Sequence, residues 1–188
     1  MKRITFFICI ALTTITSFGQ EFLGIKVEGN REQVISLFKS KGFVLSSGND
    51  MSKNVVRMEG NAAGKKIELG IVSTPISKTV WKFAIYLPEQ STWSSLKSDY
   101  EEYLKILTDK YGEPKSKYNF FSSPYKEGDG YEMTAVSVEK CGYAAFWPDN
   151  KNISLKISKW KQVCINYENT VNSALDDKEK ATINSNTF

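Results

Sequence analysis

The sequence predicts an α+β protein in which two amphipathic helices pack on an antiparallel sheet. Three observations lead to this class. Two segments carry apolar residues at helical spacing, several others alternate apolar and polar residues with a period of two, and 41% of the residues are hydrophobic, enough for a core. The order of the segments also fits a tandem repeat of one helix followed by three or four strands, although the residues themselves do not repeat.

The start of the chain has the layout of a secretory signal peptide. A positively charged beginning precedes a mainly apolar stretch at 4–15, and Ser17 and Gly19 provide the small residues that cleavage before Gln20 requires. The apolar stretch is shorter than the roughly 20 residues that cross a bilayer. We therefore expect an exported protein, periplasmic or extracellular, with no stable membrane span once residues 1–19 are removed. The alternatives are an uncleaved anchor and a buried strand.

The rest of the chain divides into two similar halves and a tail. Residues 20–90 form the first helix-plus-strands half and residues 91–170 the second, while residues 171–188 lose all periodicity and are expected to be a disordered tail. Cleavage would remove two basic residues and no acidic one, so the formal net charge would fall from +4 to +2. Lysines alternate with acidic residues throughout, and no nucleic-acid partner is therefore expected.

The first helix is predicted within VEGNREQVISLFKSKGF. Asn30 is a good N-cap residue, and Val34, Leu37 and Phe38 form an apolar stripe at helical spacing. Gly42 follows as the glycine that ends a helix. The segment before it, FLGIKV, is strand-like or extended.

Three strands are predicted after this helix, within NVVRME, KKIELGIVS and KTVWKFAIYLP. The turn GNAAG separates the first two, and Pro75 lies in the turn between the second and the third. Their inward-facing residues are expected to be Ile67, Leu69, Ile71, Trp81, Phe83, Ile85 and Leu87.

The second helix has the clearest pattern in the chain. Ser91 or Thr92 would cap its start, and Gly112 and Pro114 would end it. Its buried face is expected to consist of Trp93, Leu96, Tyr100, Tyr103, Leu104, Leu107 and Tyr111. After a loop, SSPYKEGDGY, the predicted strands are EMTAVSVEK, GYAAFW, NISLKIS and QVCINYEN.

Cys141 and Cys164 are the only cysteines outside the expected signal peptide, which contains Cys9. Export would bring them to an oxidising compartment, so a disulfide between them is the favoured interpretation. Two independent buried thiols are the alternative. Two cysteines cannot by themselves complete a zinc site, which needs about four ligands.

The chain contains no histidine, which removes Ser-His-Asp and Cys-His catalysis as well as histidine-ligated metal and haem sites. No cofactor is expected. A carboxylate-dependent hydrolase of cell-envelope or glycan substrates remains the alternative function. Its candidate acids read individually as solvated helix, turn or tail residues: Glu101, Glu102, Asp129, Asp176 and Asp177.

One cluster is a candidate binding surface. Trp147 and Trp160 lie at opposite ends of one predicted strand pair, and Lys159 and Lys161 flank the second tryptophan. Aromatic residues beside lysines at loop positions are common in surfaces that bind proteins or polyanions. The alternative is that these tryptophans cap the core at the ends of the strands.

Several segments resemble small exported Bacteroidetes proteins of unknown function: SFGQEF, FLGIKVEGNREQVISLFKSKGF, YLKILTDKYGEP and the strand-rich ending ISLKI…VCINYEN. The helix-plus-sheet repeat is also similar to the β-lactamase-inhibitory-protein architecture, a group of folds that bind other proteins. This resemblance implies a binding role, although no residue motif carries an inhibitory contact over. We therefore expect an exported, non-enzymatic binding module for a protein or cell-envelope component. A carrier of an apolar ligand between helices and sheet is a third possibility.

Overall fold

The computed structural model describes residues 20–148 and 152–185. The expected signal peptide at 1–19 lies outside the described residues. The strands are β1 (Glu21–Phe22), β2 (Ile25–Lys26), β3 (Val44–Leu45), β4 (Val55–Ala62), β5 (Lys65–Ser73), β6 (Val80–Tyr86), β7 (Ser116–Phe121), β8 (Cys141–Trp147), β9 (Ile153–Ile157) and β10 (Val163–Glu168). The helices are α1 (Arg31–Ser40), α2 (Trp93–Tyr111), α3 (Glu132–Ser137) and α4 (Thr170–Ser185).

The α+β class is confirmed. Eight strands form one antiparallel sheet in the order β3-β4-β5-β6-β10-β9-β8-β7, and β1 pairs with β2 in a separate hairpin. Two of the four helices in the described ranges, α1 and α2, were predicted. None of these helices is long and apolar enough to span a membrane.

The sheet has one face that carries the core. Leu69, Ile85, Ile165 and Leu155 form a row across β5, β6, β10 and β9, and each is at most 5% exposed. Helices α1 and α2 contact strands of this sheet. Residues one position away in each strand belong to the opposite face, called the outer face below.

Helix α1 begins and ends where the sequence predicts. The Asn30 side chain accepts a hydrogen bond from the Glu32 N–H, and Gly42 follows the helix with a φ of +86°. The predicted stripe needs one correction. Leu37 is 51% exposed, and Ile35 is buried in its place because the helix turns this side toward the sheet.

Helix α2 is also confirmed. Thr92 is its N-cap and accepts a hydrogen bond from the Ser95 N–H at 3.2 Å. Gly112 closes the helix with a φ of +83°, and its N–H donates to the Thr108 carbonyl at 2.8 Å. The fully buried members of the predicted face are Leu96, Tyr100, Tyr103 and Leu107.

The segment EMTAVSVEK is not a strand. It contains α3, which buries Ala135 and Val136 near the start of β8. The Glu132 carboxylate also accepts a hydrogen bond from the Gly128 N–H at 2.7 Å, which fixes the loop before the helix. A helix of six residues needs only a few buried side chains, here Ala135 and Val136. So few apolar residues do not distinguish a short helix from a strand in the sequence.

The expectation of a disordered tail is also wrong over residues 171–185, which belong to α4, whereas residues 186–188 lie outside the described residues. The Glu179 side chain is 8% exposed, and its carboxylate accepts hydrogen bonds from the N–H groups of Ile76 and Ser77 in the β5–β6 turn. The Asn172 side chain donates to the Val80 carbonyl at 2.8 Å. The helix is therefore held by polar contacts that an apolar pattern does not reveal.

The strand register excludes the expected disulfide. Cys164 lies beside Lys156 on β9, and Lys156 lies beside Ala144 on β8. Two strand spacings alone separate β10 from β8 by about 10 Å, whereas a disulfide needs Cα atoms within about 7 Å. Cys141 is also an odd number of residues from Ala144, so it faces the other side of the sheet. Both cysteines are free, in agreement with the alternative of two independent thiols.

Candidate functional site

Three of the four predicted surface residues come together. Trp160 lies at the tip of the β9–β10 turn with Lys159 and Lys161 beside it, and 66% of its surface is exposed. Trp147 does not belong to this surface. It is 2% exposed, and its indole Nε1 donates to the Gly112 carbonyl at 2.6 Å, so it has the packing role of the alternative interpretation.

The turn itself is tightly hydrogen bonded. The Ser158 N–H donates to the Gln162 carbonyl at 2.8 Å, and the Lys161 N–H donates back to the Ser158 carbonyl at 3.0 Å. Lys161 adopts a φ of +55° to close it. The Lys159 ammonium lies 5.6 Å from the centre of the Trp160 ring, within the range of a cation–π contact. The position of the Trp160 indole is thus set by the hydrogen-bonded turn and by the contact with Lys159.

A groove of about 390 Å³ opens on the outer face next to this turn. Its walls include Lys82, Tyr86, Lys156 and Trp160, and Asn166 lies on its floor. We call it the basic groove. Because Lys156, Cys164 and Tyr86 are neighbours across three strands, the sheet register alone sets the spacing of the walls.

Asn166, on the floor of the basic groove, is buried and hydrogen bonded. Ala84 and Asn166 are paired across β6 and β10, and each is 5% exposed. The Asn166 amide donates to the Ser154 hydroxyl at 3.0 Å, which ties the floor to β9. The longer side chains of the walls, among them Lys82 and Lys156, therefore project past a buried floor.

The charges around the groove are unequal. Lys82 pairs with Glu168 at 2.8 Å, and Lys159 is 3.8 Å from Glu139. The ammonium groups of Lys156 and Lys161 form no hydrogen bond or ion pair within the described ranges. The basic groove and its turn therefore carry excess positive charge at close range, which suits an anionic group on a partner.

The two thiols near the groove are in their protonated form at neutral pH. Burial raises the pKa of Cys164, and nearby Lys156 and Lys82 only partly oppose this effect. Burial and the charge of Glu127 raise the pKa of Cys141 to about 12. A protonated thiol is a poor nucleophile, so these cysteines contribute packing at neutral pH.

The candidate acids occupy separate places. Glu102 on α2 accepts a hydrogen bond from Lys65 of β5 at 3.0 Å, and it shares this ammonium group with Asp99, a residue of α2 outside the candidate set, which accepts at 2.7 Å. Asp129 accepts from two backbone N–H groups in its loop, which confirms a turn-forming residue. Asp176 pairs with a lysine one turn along α4. The described ranges contain no group of three acidic or cysteine residues able to hold a metal ion.

An apolar cleft lies on the core side of the molecule. It encloses about 330 Å³ and is lined by Ile67, Ile85 and Tyr167 from the sheet. Leu23 and Ile106 stand at its rim with exposures of 38% and 44%. A cleft of this size and composition is at the lower end of the range for small-molecule sites.

Sequence reasoning did not single out Lys82, Lys156 or Asn166. They occupy the polar positions of alternating strands, a pattern that predicts a solvated face without showing which strands are neighbours. The decisive fact is that β10, the last strand in the chain, lies beside β6 in the middle of the sheet.

Comparison of the chain with protein-family models, with curated proteins and with solved structures finds no match. The function is therefore argued from the residues of this chain.

Proposed function

We propose that the protein is an exported, non-enzymatic binding module whose contact surface is the basic groove together with Trp160. The observation that carries this proposal is the exposure of Trp160, at 66%, on a rigid turn between two lysines. The proposed partner is a protein or cell-envelope component that presents anionic groups beside an apolar spot. The signal-peptide layout of residues 1–19 supports export.

The chemistry of the surface suits this role. A tryptophan that becomes buried in a complex is among the strongest single contributors to binding, because its large rigid ring loses little conformational entropy. Lys156 and Lys161 would meet carboxylates or phosphates at the rim, where charge chiefly increases the association rate and specificity. Trp160 also separates the groove from a second depression beside Glu89, so a partner could contact both sides of the ring.

The architecture is consistent with a tandem repeat, which we propose as the origin of the fold. The first unit would be α1 with β3–β6, and the second α2 with β7–β10. The strand order supports this proposal because it reads symmetrically outward from the β6–β10 pair. Such a repeat fits the resemblance to β-lactamase-inhibitory-protein architecture, and that resemblance in turn favours protein binding.

The test is a pull-down from cell-envelope extract with immobilised protein. Trp160→Ala and Lys156→Glu should each reduce the retained partner at least tenfold. Tyr131→Ala is the matched control, since Tyr131 is 63% exposed but lies on the loop before α3. If Tyr131→Ala and Trp160→Ala retained the same amount of partner, the assignment of the contact surface to Trp160 would be contradicted. Substrate turnover by the purified protein, abolished by replacing a single carboxylate, would instead support the hydrolase.

A second candidate function is carriage of an apolar ligand, which the apolar cleft favours. The ligand would insert between α2 and the β1–β2 hairpin, with Leu23 and Ile106 at the entrance. Displacement of a fluorescent fatty-acid probe would measure it. Ile106→Glu should weaken binding, whereas Leu37→Glu, an equally exposed position on α1, should not. No probe binding at saturating protein would exclude this role.

A further inference from the structure

Strand β7 is an edge of the large sheet that no other element within residues 20–148 and 152–185 covers. It is six residues long, and residues 117–120 are all exposed. The opposite edge, β3, has only two residues. Long uncovered edges present a row of unpaired backbone groups and readily accept another strand, so natural proteins usually shorten or cover them.

The register shows which backbone groups of β7 face outward. Ser122 N–H donates to the Lys140 carbonyl at 2.8 Å, in line with the β7–β8 register that pairs Phe120 with Gly142. Because hydrogen-bonded and non-hydrogen-bonded pairs alternate in an antiparallel ladder, the even-numbered residues of β7 bond to β8. The N–H and C=O groups of Lys117, Asn119 and Phe121 therefore point away from the sheet.

The same edge carries an exposed aromatic patch on the outer face. Tyr118 is 50% exposed and Phe120 is 51% exposed. Phe146 on β8 is 39% exposed, and its ring centre is 6.1 Å from that of Tyr118. The Phe120 ring packs directly over Gly142, where a side chain would collide with it. The patch is therefore apolar and lies directly on the surface of the sheet.

We propose that two copies of this chain pair through their β7 strands, antiparallel and in register about a two-fold axis at Asn119. Asn119 would then face Asn119 of the second copy, and Lys117 would face Phe121 of the second copy. All three outward-facing residues of each strand would form ladder hydrogen bonds. On the outer face Tyr118 would lie opposite Phe120 of the second copy, in the closely spaced kind of pair.

The alternative registers are less complete. An axis at Tyr118 would pair Lys117 with Asn119 of the second copy but would leave the outward N–H and C=O groups of Phe121 without a partner in β7, so fewer ladder hydrogen bonds would form. An axis at Lys117 would form fewer bonds and oppose two like charges directly. Only the axis at Asn119 uses every outward group and avoids a lysine pair.

The buried area is modest. Tyr118 and Phe120 of both copies are about half exposed, so together they carry about 400 Å² of accessible ring surface at about 200 Å² for each whole ring, and pairing would cover part of it. The paired backbones and flanking side chains add to this. The total is at or below the roughly 1,000 Å² of a specific interface, so we expect a weak, concentration-dependent dimer.

The test is sedimentation equilibrium of the purified protein over a range of concentrations. We expect the wild type to approach twice the chain mass at high micromolar concentration. Asn119→Pro removes one outward N–H and no bond to β8, and it should weaken dimerisation at least tenfold. Asn119→Ala is the matched control; it keeps the N–H and should dimerise like the wild type.

A second pair of variants covers the case in which the proline variant does not fold. Tyr118→Lys should raise the dimer dissociation constant at least tenfold, whereas Val55→Lys, at a 42% exposed position on β4 near the opposite edge of the sheet, should leave it unchanged. A wild type that stays monomeric at every concentration would overturn the proposal and leave the edge to a strand from a different protein. A dimer insensitive to both β7 variants would also overturn it.

Discussion

The indole Nε1 of Trp147 donates a 2.6 Å hydrogen bond to the backbone carbonyl of Gly112. This bond joins the last residue of β8 to the residue that ends α2. It satisfies a carbonyl that the helix leaves without an internal partner, and it does so with a side chain that is 2% exposed. The contact fixes how the second helix ends against the sheet.

Replacing Trp147 with Phe should lower the free energy of unfolding by about 2–3 kcal/mol, because the hydrogen bond is lost and a cavity is left in the core. Trp160→Phe should change it by less than about 0.5 kcal/mol, since that ring is on the surface. Urea denaturation followed by circular dichroism measures both values. Equal losses for the two variants would contradict the assignment of Trp147 to the core.

The Glu179 carboxylate should make the stability of the protein pH-dependent. Burial tends to raise its pKa, but hydrogen bonds from Ser77 and the Ile76 N–H lower it below 4.5 overall. A lowered folded-state pKa means that the contribution is fully present above pH 4.5 and is lost as the pH falls through the folded-state pKa.

Glu179→Gln should therefore cost about 1–2 kcal/mol at pH 7. The difference from the wild type should shrink as the pH falls below 4.5. Urea midpoints measured from pH 3 to pH 7 provide the comparison. Asp177→Asn on the same helix is the control, because Asp177 is exposed, and a constant gap for Glu179→Gln across this range would show that its charge is unimportant.

Cys141 and Cys164 should behave as free thiols that react slowly in the folded protein. Intact mass should not change on reduction, because the register keeps the two residues on opposite faces of the sheet. Iodoacetamide should label both quickly in urea and far more slowly without it, since burial raises both pKa values. A gain of two hydrogen atoms on reduction would contradict the predicted state.

Two glycines should differ in their tolerance of alanine. A Cβ atom at Gly60 would lie 2.5 Å from the ring of Phe43, which is 2% exposed and cannot move away. Gly60→Ala should cost about 1–3 kcal/mol of unfolding free energy. At Gly142 the obstacle is the ring of Phe120, which is 51% exposed and free to swing outward, so the cost should be below about 1 kcal/mol. Similar losses at the two positions would show that Phe43 can also adjust.

The elements with a one-sided apolar pattern could be predicted from the sequence. The alternation of Ile67, Leu69 and Ile71 identified β5, and the stripe from Leu96 to Leu107 identified α2. In both, one face is buried and the other is solvated, so the period of the apolar residues reports the backbone geometry directly.

The missed elements lack that contrast. Strand β7 is exposed on both faces along its middle, so nothing in its residues alternates. Helix α4 buries Asp176 and Glu179 in place of a stripe of apolar residues. Of the candidate site, the sequence predicted only the part that lies in a single turn, which is Trp160 with its two neighbouring lysines. Its groove also needs Lys82 and Lys156, which are 74 positions apart and come to line one groove only through the β6–β10 and β9–β10 pairings.

That pairing has a consequence for how the chain is made. The strand nearest the C-terminus occupies the centre of the sheet, so no shorter N-terminal piece of the polypeptide contains a finished sheet. While the ribosome is still adding the second half, the edge of β6 that will pair with β10 has no partner strand, and the hydrophobic residues that pack there in the finished protein remain exposed to water. Maturation must therefore wait for the final segment, and a premature stop before Val163 should yield material that is degraded or aggregates.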